Sequence, residues 1–233
     1  MANLTQLKLL ENLHGFLLVD KPAGLAFNTV VKSVKRKFNL VKVGHGGSLD
    51  AMASGVLVLL INDANKFVGE VMGADRAYVG KIRWGLKTNT HDIHGEALGG
   101  SGASPEPEAL KTAINELKGD VFQTEPRFCG VRREGSADYE IADTGEHSAF
   151  LAHVYRLSVS GDEFAVSGTK SLIVRTLVND LGEACGCGAA LESLRRVSVG
   201  KFSVEKAIPF ERLLDTDIKD FASCVIPIGE ALR

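Results

Sequence analysis

The feature that most restricts the fold of this 233-residue chain is the run Val56–Ile61, VLVLLI, which follows the polar, glycine-rich stretch KVGHGGSLDAMASG (Lys42–Gly55). Six consecutive large apolar side chains leave no face for water, so the run demands core on every side. It is too short to cross a bilayer, which takes about 20 apolar residues, so no membrane partner is expected. Asp50 stands just ahead of the run. An Asp before an apolar helix is a common N-cap, because its carboxylate accepts the orphan N–H groups of the first turn. The rival reading makes Asp50 the carboxylate of an active site, with Gly44, Gly46 and Gly47 allowing a ligand to come close. His45 supplies a flat ring that can stack on a base or fill the space a base vacates.

The rest of the composition is that of an ordinary globular protein, 45% hydrophobic and 24% charged. Its length suits one large domain or two small ones. No N-terminal segment has the plan of a signal peptide, so a cytoplasmic location is expected. The four cysteines, Cys129, Cys185, Cys187 and Cys224, lack the paired clusters of a zinc site and are expected as free thiols. The formal net charge of -2 argues against a nucleic-acid binder, but its distribution argues for one. Residues 1–90 hold 12 Lys and Arg against 6 Asp and Glu, a net of +6, whereas residues 91–170 hold 7 against 14, a net of -7. A basic third can attract a polyanion even in a slightly acidic chain.

Along the chain, the leucine spacing of Asn3–Leu13 predicts a short amphipathic helix. GFLLVDKPAGL (Gly15–Leu25) predicts a strand broken by a loop over Asp20–Gly24. FNTVVKSVKRKFNL predicts a helix lined by Val30, Val31 and Val34, capped by Asn28 or Thr29, with Lys32, Lys35, Arg36 and Lys37 around the rest. RAYVGKIRWGL (Arg76–Leu86) alternates like a half-buried strand. EALKTAINELKG reads as an amphipathic helix closed by Gly119. HVYRLSVSGDEFAVSG reads as two strands around a Gly-Asp hairpin. Beyond it, SLIV predicts an apolar strand, the next segment a helix ending near Gly182, and AALESLRR a second helix before a final strand. The pattern is mixed α+β, with one extended sheet and helices packed on it.

The motifs resemble the pseudouridine synthases of the bacterial tRNA pseudouridine-55 synthase (TruB) type. GFLLVDKPAGL and GHGGSLDAMASGVL match the family patterns G-x-L-x-x-D-K-P-x-G and G-H-x-G-T-L-D-P-x-A-[ST]-G-V-L. RAYVGKIRWGL resembles the family's tyrosine strand, with Tyr78 in the Tyr position. EPRFCGVRREGSADYEIADTGE follows in order, with Arg132 where the family has Lys. SLIVRTLVNDLGEACGCGAALESLRR then resembles T-Y-I-R-[TS]-L-x-x-D-L-G-x-x-L-G-x-G-A-x-L-x-x-L-R-R. The likeness covers most of Gly15–Ile208. It implies the pseudouridine synthase fold, with a mixed, mainly antiparallel sheet and a central cleft. It also implies residues 1–233 as a single catalytic domain without the C-terminal RNA-binding appendage of many relatives.

The activity so implied isomerises uridine to pseudouridine, at position 55 in the T arm of tRNA, and needs no cofactor and no metal. RNA is the implied partner, and a monomer is expected. The target uridine is flipped out of its RNA fold, at a cost of a few kcal/mol. By resemblance Asp50 is the nucleophile and Arg175 its supporting cation, while Tyr78 stacks on the base and Leu194 lines the pocket. His45 fills space near the extruded base, and Lys21 supports the cleft or contacts phosphate. Ile173 takes the place of the Tyr in T-Y-I-R, and Ala51 that of the Pro after the Asp. Ala26 and Phe27 stand where Thr and Ser are common. Two rival readings remain open: an RNA-binding or RNA-folding protein with weak or no catalysis, and a synthase for a different RNA.

Overall fold

The computed structural model describes residues 12–131, 140–145 and 148–231. All but the last two residues of the helix expected over Asn3–Leu13, and Arg132, lie outside the described residues. The elements run β1 (Gly15–Lys21), α1 (Phe27–Lys37), β2 (Val43–His45), β3 (Ser54–Ile61), α2 (Val68–Gly73), β4 (Arg76–Trp84), β5 (Lys87–Thr88), β6 (Ala97–Gly99), α3 (Pro107–Glu116) and β7 (Gly119–Gln123). They continue with β8 (Phe128–Val131), β9 (Glu140–Asp143), β10 (Phe150–Ser160), β11 (Glu163–Gly168), α4 (Val174–Ala184), β12 (Ala189–Val199), β13 (Phe202–Ser203), β14 (Ile208–Pro209), α5 (Phe210–Asp215), β15 (Ile226–Pro227) and α6 (Ile228–Ala231). The chain divides into two compact units, one of Met1–Ala74 with Arg196–Arg233, the other of Asp75–Arg195. Among the described residues no helix is long and apolar enough to cross a membrane.

In the first unit, β1 and β3 pair antiparallel from Gly15↔Ile61 to Lys21↔Gly55, and β2 joins β3 from its other side. The apolar run is therefore a strand, and its composition shows why. Leu57, Leu59 and Ile61 pack with Leu17, Val19, Val30, Val34, Phe38 and Phe221. Val56, Val58 and Leu60 point the other way, to Phe16, Leu18, Val71 and Phe202. A strand covered on both faces has no polar position to show, so alternation vanishes from its sequence. The helix that the capping reading of Asp50 needs is absent here, since β3 follows. β14 extends the sheet parallel to β1, and β15 pairs antiparallel at its start.

α1 forms as expected, with Val30 and Val34 buried, but its N-cap is Ala26, which has no side-chain cap bond. Phe27 begins the helix, so Asn28 and Thr29 already lie inside it.

In the second unit β12, β4, β11, β10 and β7 lie in that order. β10 and β11 form the expected hairpin, Ser160↔Glu163 closing it around Gly161 and Asp162. α3 also forms, but its C-cap is Leu117, and Gly119 opens β7 at φ +86. Two expectations fail. SLIV is no strand: Leu172 N–H donates to the Thr169 carbonyl in a turn, and α4 starts at Val174. AALESLRR is not a helix but the start of the long strand β12. Its Leu, Ala, Glu and Arg are good helix formers, yet pairing beside β4 overrides that weak preference.

Candidate active site

Asp50 is exposed at the head of a tight turn, where its own carbonyl accepts the Ala53 N–H at 3.1 Å before β3 begins at Ser54. The backbone around it is held by two buried cations. Lys21, fully buried at the end of β1, donates from Nζ to the carbonyls of Pro22 (2.9 Å), Leu25 (2.7 Å) and Ala51 (3.3 Å). Gly24 N–H donates to the same Ala51 carbonyl at 2.7 Å. The Lys-Pro-Ala-Gly loop is thus stapled to the residue after Asp50. Burial pushes the Lys21 ammonium down to about 8, with Arg196 adding to the effect and the Asp50 charge opposing it. An ammonium has three donors. Here three carbonyls take them.

Arg196, also fully buried, grips the other side of the turn. Its Nε donates to Val56 O at 2.9 Å, Nη1 to Ser48 O at 2.8 Å and Nη2 to Gly47 O at 3.5 Å. The residues flanking Asp50 on both sides are therefore fixed to rigid strands. Arg196 was not singled out from sequence, although it is the last residue of the LRR in the final motif. An arginine 146 positions from Asp50 gives no local sign that it will meet the Asp50 turn.

His45, at the end of β2, accepts the Gly47 N–H on Nδ1 at 3.3 Å, which leaves the ring proton on Nε2. Burial lowers its pKa, and Arg196 adds to that. The edge of the neutral ring meets Phe27 at 4.9 Å and 62°. Phe27 therefore contacts the ring expected to sit near an extruded base.

The second unit holds the remaining expected residues. Arg175 is buried in the first turn of α4 and donates from Nη1 to Thr90 O at 3.0 Å. That carbonyl belongs to a turn tied together by Asp92, whose carboxylate accepts from Thr90 Oγ1 and His94 N–H, each at 2.9 Å. Thr88 Oγ1 donates to the Asp92 carbonyl at 2.7 Å. Ile173, just before α4, is clamped through its backbone. Its N–H donates to Gln123 Oε1 at 2.9 Å, and its carbonyl accepts from Gln123 Nε2 at 3.1 Å. Gln123 is itself buried and had no sequence signal. Tyr78, buried on β4, is paired with Val166 of β11, and Leu194 is buried on β12. Among the described residues no group of three His, Cys, Asp or Glu is placed to hold a metal ion. Cys185, Cys187 and Cys224 are free thiols.

Comparison with known proteins bears on the chain as a whole. The model described as TruB family pseudouridylate synthase (N terminal domain) matches residues 35–160. The tRNA pseudouridylate synthase B C-terminal domain matches residues 175–233. The tRNA pseudouridine synthase B of Stutzerimonas stutzeri (strain A1501) is 35% identical over 211 residues, covering 87% of this chain and 69% of that protein. The protein of the same name from Ralstonia pickettii (strain 12J) is 34% identical and covers 95% of this chain and 73% of its own length. Among solved structures, a chain of a Cbf5-Nop10-Gar1 complex superposes over 97% of this chain and 63% of its own, with a TM-score of 0.70 at 24% identity. A chain of an H/ACA RNP bound to a substrate RNA containing 2'-deoxyuridine covers 93% and 60%, with a TM-score of 0.67. At that identity the two structures establish the fold alone. The family models and the identities over most of the chain establish more: the chain belongs to the TruB family of pseudouridylate synthases.

Proposed function

We propose that the protein is an RNA pseudouridine synthase that isomerises uridine 55 in the T arm of tRNA, acting as a monomer through residues 1–233 as one catalytic domain. The observation that carries the reading is the Asp50 turn, gripped by buried Lys21 and Arg196 in a chain of this family. An exposed carboxylate on an immobilised backbone suits a nucleophile, since little motion has to be frozen when the substrate arrives. In the proposed reaction Asp50 starts cleavage of the N1–C1′ bond of the flipped uridine. The base turns, C5 bonds to C1′, the C5 proton leaves, and N1 ends protonated. Atoms and electrons balance without an oxidant or reductant. Arg175 is the proposed supporting cation for Asp50, since a guanidinium favours and orients a carboxylate. Tyr78 and Leu194 receive the base, and His45 and Ile173 border it. Lys21 acts by holding the turn.

Tritium release from T-arm RNA labelled at uridine C5 tests this directly. Wild type should release tritium stoichiometrically with target uridine, and Asp50→Asn should release none above background. Undiminished release by Asp50→Asn overturns the nucleophile assignment. Binding of the stem-loop by wild type without release establishes the RNA-binding reading, which the missing aromatic ring at Ile173 favours. Release from another RNA alone would reassign the substrate.

A further inference from the structure

His91 follows Thr90 in the turn that meets Arg175, and its geometry is unusual. Its backbone is left-handed, φ +61, one of three described non-glycine residues with positive φ. A left-handed backbone is strained for a residue that carries a side chain, and it persists only where the surroundings require it. Its amide donates to Thr88 O at 3.3 Å, and its carbonyl accepts the Leu191 N–H of β12 at 3.0 Å. The reversal between these bonds sets the direction of the preceding peptide, whose carbonyl, Thr90 O, takes the Arg175 Nη1 bond. The Arg175 charge acts on the ring, whose Nδ1 is buried without a hydrogen-bond partner.

We propose that His91 is a positioning residue for Arg175, holding the guanidinium on the Thr90 carbonyl through its left-handed backbone and its buried ring. The charged groups acting on the ring are Arg175 and Glu183 from α4, Lys87 from β5 and Asp92 from its own turn, while β12 meets it through the Leu191 amide. Burial, reinforced by Arg175, pushes the imidazole down to about 4, against the pull of Asp92 and Glu183. At neutral pH, therefore, the ring adds no cation of its own to those of Arg175 and Lys87. A protonated ring would repel the guanidinium from its carbonyl.

The proposal rests on the role given to Arg175 above, so its test has one readout that requires catalysis and one that does not. His91→Asn keeps tolerance of the left-handed backbone and cannot become a cation. His91→Ala loses the tolerance, and His91→Lys adds a permanent charge. On T-arm RNA at pH 7, kcat of folded His91→Asn should stay within about threefold of wild type, while His91→Ala and His91→Lys should fall about tenfold to a hundredfold with KM little changed. The guanidinium ¹⁵N–¹H signal of Arg175, assigned by its loss in Arg175→Lys, should be unchanged in His91→Asn and shifted or broadened in the other two. Folded His91→Ala and His91→Lys with kcat within about twofold of wild type, or with the Arg175 signal unmoved, overturn the proposal. Absence of activity in wild type would sink the functional reading and leave the resonance to decide the role of His91.

Discussion

Lys21 reaches three backbone carbonyls, and a buried ammonium is tolerated only because they replace its water. The replacement is incomplete, which is why burial draws its pKa from 10.5 down to about 8. Between those values the unfolded chain binds a proton at Lys21 that the folded chain does not. Stability therefore rises with pH across roughly pH 8 to 10.5, where the cost of the buried charge is relieved. Urea denaturation across that window should show the rise in wild type and a flatter profile in Lys21→Met, after allowance for the titrations the two share. Equal slopes would mean that Lys21 is solvated in the folded state. At this scale the sequence named candidate side chains and was silent about how they are held. Asp50, Arg175 and His45 were named by motif. Gln123 and Arg196 act by seizing backbone carbonyls or amides, and Thr90 by offering its own carbonyl to Arg175; a bond to backbone leaves no complementary residue type to find.

The Asp50 turn depends on how β3 meets β12 at Arg196. Gly55 begins the paired part of β3 with φ +108, and a Cβ there would collide with the backbone N and O of Arg196. The same residue's guanidinium then spans Gly47, Ser48 and Val56. Arg196→Lys keeps the charge but loses the fork, and it leaves buried carbonyls without donors. It should cost about 2–3 kcal/mol in urea denaturation and lower kcat more than it raises KM. A stability loss with unchanged kcat would detach the grip from catalysis. These elements also mark the limit of pattern reading. α1, β4 and the β10–β11 hairpin were legible because each has one wet face, and the period of that face names the element. β1, buried on both faces, was legible from the Lys-Pro and Ala-Gly breaks that end its apolar run. β3 has no wet face. β12 carries helix-forming residues, with Leu191 and Leu194 at a helical interval, and only its place beside β4 decides the outcome. Reading β3 as a strand changes the chemistry, since no helix remains for Asp50 to cap.

Charge is the property that belongs to the whole chain. The net of -2 conceals a basic first third, and α1 concentrates it: Lys32, Lys35 and Arg36 are exposed, with Lys42 exposed a few residues on. Lys37 is partly buried, with Nζ over the Phe38 ring at 5.7 Å. Three of these cations lie in the last turn of α1, where the helix dipole already favours them, so their positions have a structural reason as well. Salt dependence separates the two reasons. A cation that only supports the helix releases no counterion from RNA. One that meets phosphate steepens the fall of affinity with salt by about 0.7–0.9 in the log–log slope. Replacing Lys32, Lys35, Arg36 and Lys37 by Gln should therefore weaken binding of a T-arm stem-loop, and equally that of an unrelated stem-loop, because phosphate contacts carry no sequence information. The slope should become shallower by that amount for each phosphate no longer neutralised, with circular dichroism confirming that α1 persists. An unchanged slope with weakened binding would assign the cations to the helix alone, and would move the search for the phosphate surface to the other basic residues of the first 90.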